Sequence, residues 1–287
     1  MPKGNLVAGG RVSDLLRVAD RGVDLTAIDT RATPGFEGTK AEARALMPEL
    51  GQVLADLQER LYAHGRKGDA RRLLLVLQGM DTSGKGGTVE HVLGHLDPAG
   101  VHTASFGKPT KEELAHDFLW RIRAQLPRPG KVGVFDRSHY EDVVTVRVHE
   151  LVDRPTWRRR FAAINRFEQK LAADGVLIVK CFLHISRDEQ RDRLLARLDD
   201  PTKHWKYNPG DLVSRARWDD YMVAYGDAIA RCSTDDAPWY VVPADRKWYR
   251  NWAITNLLTE QLEALGLEWP KADFDVAAER EKLLAKP

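Results

Sequence analysis

The stretch Arg71-Arg72-Leu73-Leu74-Leu75-Val76-Leu77-Gln78-Gly79-Met80-Asp81-Thr82-Ser83-Gly84-Lys85-Gly86-Gly87-Thr88 decides the fold: an unbroken apolar run empties into a glycine-rich loop holding one lysine. Leu73–Leu77 lacks the polar alternation of a half-exposed strand, so it reads as a strand of a parallel sheet covered on both faces. Gly79, Gly84, Gly86 and Gly87 permit backbone angles and close approaches that a β-carbon blocks, which lets successive amide N–H groups turn toward one anion. A helix starting near Gly86 adds its positive end, and Lys85 brings a mobile charge to phosphate oxygens. The segment reads as a phosphate cradle, and phosphoryl transfer is the chemistry it favours.

The loop departs from the pattern G-x-x-x-x-G-K-[ST] at Gly86, which stands where a hydroxyl would ligate Mg²⁺. The metal then needs another oxygen ligand, and Asp81 inside the loop is the nearest carboxylate. A second apolar run, Val132-Gly133-Val134-Phe135, ends at Asp136-Arg137-Ser138-His139-Tyr140-Glu141-Asp142. A carboxylate closing a buried strand of a phosphate-loop fold is placed to hold Mg²⁺, which makes Asp136 the second expected metal carboxylate. Arg137 beside it can grip a phosphate with its planar fork of donors.

Composition sets the outer bounds. A chain of 287 residues is long enough for one α/β domain with appendages, and a net charge of +2 gives no nucleic-acid signature. Two cysteines, Cys181 and Cys232, supply neither a disulfide framework nor a zinc spacing. Met1 to Asp20 lacks a long apolar stretch and no run reaches membrane-spanning length, so a cytoplasmic protein without a membrane partner is expected.

Three regions are expected: an extended arm over 1–38, a phosphotransferase domain over 39–268 and a tail over 269–287. Thr39 with Glu42 forms a capping box ahead of the helical stripe Leu46, Leu50, Val53, Leu54, Leu57 and Leu61, in which Pro48 is expected to kink the helix or start a second one. From Arg71 the pattern alternates. Strands at 73–77, 101–106, 132–135, 176–185 and 239–243 are separated by helices near 88–96, 111–126, 155–173 and, after the last strand, 247–265. Continuous apolar strands between helices mean a three-layer α/β fold with a parallel sheet.

The region 186–225 breaks the alternation and reads as a helical lid. Ser186 with Glu189 caps a helix carrying Arg187, Arg191, Arg193 and Arg197, and Lys203, His204 and Lys206 follow in a loop. The plain reading is a solvated helix with Glu189 paired to Arg193 at i,i+4; the functional one closes the arginines over phosphates. Trp218, Tyr221 and Tyr225 read as core, and His91 with His95 as a helix surface rather than a zinc site.

Taken together, Gly-Met-Asp-Thr-Ser-Gly-Lys-Gly-Gly at 79–87, Asp-Arg-Ser-His-Tyr-Glu-Asp-Val at 136–143, Ala-Arg-Leu-Asp-Asp-Pro-Thr-Lys-His-Trp-Lys at 196–206 and Pro-Ala-Asp-Arg-Lys-Trp-Tyr at 243–249 resemble the second family of polyphosphate kinases. The resemblance spans about residues 40–268. It implies a P-loop kinase core similar to thymidylate kinase, with a helical lid, that moves phosphate between inorganic polyphosphate and nucleotides with Mg²⁺. Carried over by position, it makes Asp81 and Asp136 metal carboxylates, Lys85 the loop lysine and Arg137 the arginine after the Walker B aspartate. Arg193 and Arg197 become phosphate-contacting lid residues, with Lys203 and Lys206 in the basic lid segment.

The version Ser-His-Tyr-Glu-Asp-Val is similar to the branch that accepts nucleoside mono- and diphosphates. It implies AMP and ADP as substrates, ATP as final product and Glu141 as a residue helping to set that range. Some relatives of that branch carry Asn where this chain has Asp136. A homo-oligomer, dimer or tetramer, is implied by the same resemblance. The alternatives are an ATP-dependent nucleoside monophosphate kinase of thymidylate kinase type and a non-enzymatic nucleotide- or polyphosphate-binding regulator; the missing hydroxyl after Lys85 and the paired acids argue against them.

Overall fold

The computed structural model describes residues 10–18 and 22–285; residues 1–9 and 19–21 of the expected arm and 286–287 of the expected tail lie outside the described residues. Five parallel strands form one sheet in the order β2-β3-β1-β4-β5, with β1 Arg72–Gln78, β2 Val101–Ser105, β3 Val132–Asp136, β4 Val176–His184 and β5 Trp239–Pro243. The central strands are nearly all buried, as their apolar runs demand, because helices cover both sheet faces. The connection leaving β1 runs past β3 to β2, while the one leaving β3 runs back past β1 to β4. Connections that leave β1 and β3 in opposite directions open a crevice at the carboxyl ends of these two strands.

Thr39 and Glu42 form the expected capping box, and a single uninterrupted helix then runs over Lys40–Arg66 with Pro48 inside it, where a kink or a second start was expected. The helix expected over 111–126 is instead two short ones, Lys111–Leu114 and Trp120–Ala124. Asp117 explains the break: its side chain accepts from the Leu119 amide at 3.0 Å and pairs with Arg123 at 2.8 Å, capping a new turn. The described part of the arm is tied down. Val12 and Ser13 amides donate to Glu260 at 2.8 and 2.9 Å, and Val18 bonds the Trp239 carbonyl at 2.9 Å, covering the β5 edge.

After β4 come the helix Arg187–Leu198, a 3₁₀ turn Pro201–Lys206 and the helices Asp211–Ala216 and Trp218–Cys232. The last of these belongs to the core, where Trp218, Tyr221 and Tyr225 are buried. The part of 186–225 that stands over the crevice therefore ends near Ala216.

Candidate active site

Leaving β1 at Gln78, the chain turns through 79–84 into the helix Lys85–His91. Gly84 has φ of 109°, and the space of its missing β-carbon is filled by the Arg250 guanidinium, whose Nη1 lies 1.7 Å from the ideal β-carbon position. Any side chain at 84 would displace that arginine as well as strain the backbone. Lys85 is buried, and its Nζ donates to the carbonyls of Gly79 at 2.9 Å and Met80 at 3.3 Å, tying the loop to itself. Burial pushes the Lys85 ammonium below its usual pKa, and the nearby Asp136 carboxylate opposes that push.

Asp136 ends β3 in register with Leu77 of β1 and Ser105 of β2, which delivers its carboxylate beside the loop. Arg137 follows with φ of 63°, a left-handed angle held by a bond from its amide to the Leu77 carbonyl at 3.0 Å. Its Nη2 donates to Asp81 Oδ1 at 2.8 Å. Burial works against the Arg137 charge, yet Glu141, Asp81 and Asp136 more than offset it and hold the guanidinium well above its usual pKa.

Asp81, Lys85, Asp136 and Arg137 share one cleft of about 1220 Å³ with Gly84, Gly86 and Gly87, and the lid residues Arg193, Arg197, Lys203 and Lys206 line it too. Glu141 is not among the lining residues; it stands behind Arg137 and accepts from Thr145 Oγ1 at 2.6 Å. Its influence on the cleft runs through charge.

The lid arginines part company. Arg193 is buried, with Nε on Glu189 at 2.7 Å, Nη1 on the carbonyls of Thr82 and Ser83 at 2.9 and 3.0 Å, and Nη2 on those of Ala244 and Asp245 at 2.6 and 3.1 Å. Every N–H of its fork is engaged, so the expected phosphate contact is corrected to a clamp that fastens the lid helix to the loop. The i,i+4 pair with Glu189 exists, although its arginine is not solvated. Arg197 is freer: its Nη1 donates to the Lys206 carbonyl at 2.7 Å and lies 3.6 Å from Asp211. Lys203 pairs with Asp200 at 2.6 Å, and Lys206 lies over the exposed Trp205 ring at 5.0 Å.

Several cleft residues escape sequence reasoning: Arg44, Asp211, Arg250 and Asn251, while Lys247 lies in the quoted motif 243–249 without a role assigned to it. The local signal for Arg250 is its place one turn after the motif residue Lys247 in the helix Lys247–Glu263. Among the described residues no three His, Cys, Asp or Glu side chains gather as a metal cage. Asp81 and Asp136 beside a phosphate cradle suit instead a hard divalent cation that takes its other ligands from phosphate and water. Arg137 engages one oxygen of Asp81, and the other has no hydrogen-bond partner among the described residues.

The polyphosphate kinase 2 (PPK2) family model matches residues 38–268. The chain belongs to the polyphosphate kinase 2 family. It is 48% identical over 250 residues to the AMP/ADP-polyphosphate phosphotransferase of Meiothermus ruber, covering 87% of this chain and 92% of that one. It is 41% identical over 274 residues to the ADP-polyphosphate phosphotransferase of Rhodopseudomonas palustris, covering 91% and 92% respectively. The crystal structure of polyphosphate kinase 2 from Arthrobacter aurescens TC1 superposes with a TM-score of 0.94 at 54% identity, over 96% of this chain and 98% of that one. Its fold is thus that of the polyphosphate kinase 2 enzymes, as the four motifs implied.

Proposed function

We propose that this chain transfers the terminal phosphoryl group of inorganic polyphosphate to AMP and to ADP, giving ADP and ATP. The observation that carries the reading is the convergence of the glycine loop with Lys85, two acids and a cationic lid on a single cleft. The names of the relatives at 48% and 41% identity support the donor and the acceptors.

In this reading the amides of Gly84, Gly86 and Gly87 and the Lys85 ammonium seat the transferring phosphate, while Arg137 and Arg197 hold its neighbours. Asp81 and Asp136 would hold Mg²⁺, which when bound neutralises charge on the acceptor and transferring phosphates. Lys203 and Lys206 draw the polyanion along the lid. The acceptor phosphate oxygen is already a competent nucleophile, so alignment and charge carry the catalysis and no protein base is required. Glu141 tunes the acceptor range through the Arg137 charge it supports.

A thymidylate kinase-type enzyme using ATP as donor is not favoured, since Gly86 offers no hydroxyl and the matched relatives are polyphosphate enzymes by name. No helix among the described residues is long and apolar enough to cross a membrane. A cytoplasmic homo-oligomer belongs to the same proposal. The test is a coupled assay for ATP, offering long-chain polyphosphate and Mg²⁺ with AMP and then with ADP. ATP from both is the expected result. ATP from ADP alone removes the AMP reading, and transfer only from ATP to a nucleoside monophosphate reinstates the thymidylate kinase-type donor.

A further inference from the structure

Arg250 is a buried charge without a counter-charge. It lies in the helix Lys247–Glu263, is 1% exposed, and borders the cleft. Nε and Nη2 both donate to the adjacent Asn251 Oδ1, at 3.1 and 2.7 Å, and Nη1 has no partner among the described residues. No described carboxylate lies within ion-pair distance of it; burial first and then the like charge of Arg193 pull its pKa down to about 10, which leaves it cationic at neutral pH. Lys247, one turn earlier, feels Arg193 and Arg250 as further positive neighbours.

A cation taken from water is costly unless an anion or a full set of acceptors replaces the solvent. Arg250 has one amide oxygen. What it does have is proximity to the loop: Nη1 occupies the β-carbon position of Gly84 at 1.7 Å, and Nη2 lies 3.0 Å from that of Gly87. Those two glycines flank Lys85 and Gly86, so the guanidinium packs directly against the backbone of the proposed phosphate seat. At so short a range and away from water, its charge is weakly screened.

We propose that Arg250 is a fixed cationic support of the phosphate loop, a positioning residue whose missing counter-charge is the polyphosphate anion bound in the cleft at Gly84 and Gly87. The proposal rests on reading 79–88 as the phosphate seat. It has an unusual sign: removing the charge relieves the free protein while it weakens the complex. A structural arginine would do the reverse.

The experiment compares wild type, Arg250→Met, Arg250→Gln and Arg250→Lys by urea midpoint without ligand and by tripolyphosphate affinity in calorimetry, with Lys85→Ala as control. The neutral variants are expected to keep or raise the midpoint and to bind tripolyphosphate about 10- to 100-fold more weakly, the worth of one interaction with a charged group. Arg250→Lys is expected to recover most of that affinity. Neutral variants that bind within about twofold of wild type, or that both fail to fold, overturn the proposal, as does an Arg250→Lys no better than Arg250→Met. If Lys85→Ala also binds normally, the phosphate-seat reading itself falls; if only Arg250 is silent, that reading stands and the backing role alone is lost.

Discussion

Arg193 and Arg197 lie one helical turn apart and do different work. Arg193 has given all its donors to Glu189 and four backbone carbonyls, whereas Arg197 keeps part of its fork toward the cleft. Arg193→Ala is expected to destabilise the fold by about 3 kcal/mol, because buried carbonyls lose their partners. Arg197→Ala is expected to leave stability within about 0.5 kcal/mol and to lower turnover about 100-fold. Urea midpoints and steady-state rates separate the two; equal loss of stability in both variants would contradict the assignment. The gathering of Lys85, Asp81, Asp136 and Arg137 at one cleft was legible because loop spacing and strand ends are local in sequence. The work of Arg193 was hidden because its carbonyl partners come from residues 82–83 and 244–245, and Arg250 because nothing in a linear pattern tells that it packs on Gly84.

At the scale of elements, the segment 136–142 divides between two jobs. Asp136 and Arg137 face the cleft, while His139 and Tyr140 turn inward to meet Glu168 at 3.0 and 2.9 Å. Lys180 of β4 completes this buried cluster, with Nζ at 2.5 Å from Glu168, 2.9 Å from the Tyr140 hydroxyl and 2.6 Å from the Cys232 carbonyl. The pair thus anchors the turn that presents Asp136. Glu168→Ala leaves Lys180 as an uncompensated buried cation, and a loss of about 3–5 kcal/mol is expected in chemical denaturation. A loss under about 1 kcal/mol would show that the cluster does not hold the turn. The strands could be read from their continuous apolar runs, which only a doubly covered sheet explains. Helix ends were harder: Asp117 looks like any polar helix residue until its side chain is seen capping Leu119, and Pro48 signals a break that the helix Lys40–Arg66 absorbs.

At the scale of the molecule, opposite crossovers from β1 and β3 place Gly79–Lys85 and Asp136 at one crevice, and the chain between β4 and β5 supplies the cationic cover. This division explains why the loop and strand-end residues lining the crevice could be read from two strand-loop segments while the extent of the helical cover could not. The periodicity of Trp218–Cys232 continues the lid helices in sequence, but its aromatic face is consumed by the core. In the proposed reaction, polyphosphate gives up its phosphoryl group over the loop that Lys85 closes. The most direct measurement is the rate of ATP formation from long-chain polyphosphate and ADP by wild type and by Lys85→Ala, with melting profiles recorded for both. Lys85→Ala is expected to melt as wild type does and to lose transfer by a factor on the order of 1000. A Lys85→Ala enzyme that melts normally and still makes ATP at a wild-type rate would contradict the claim.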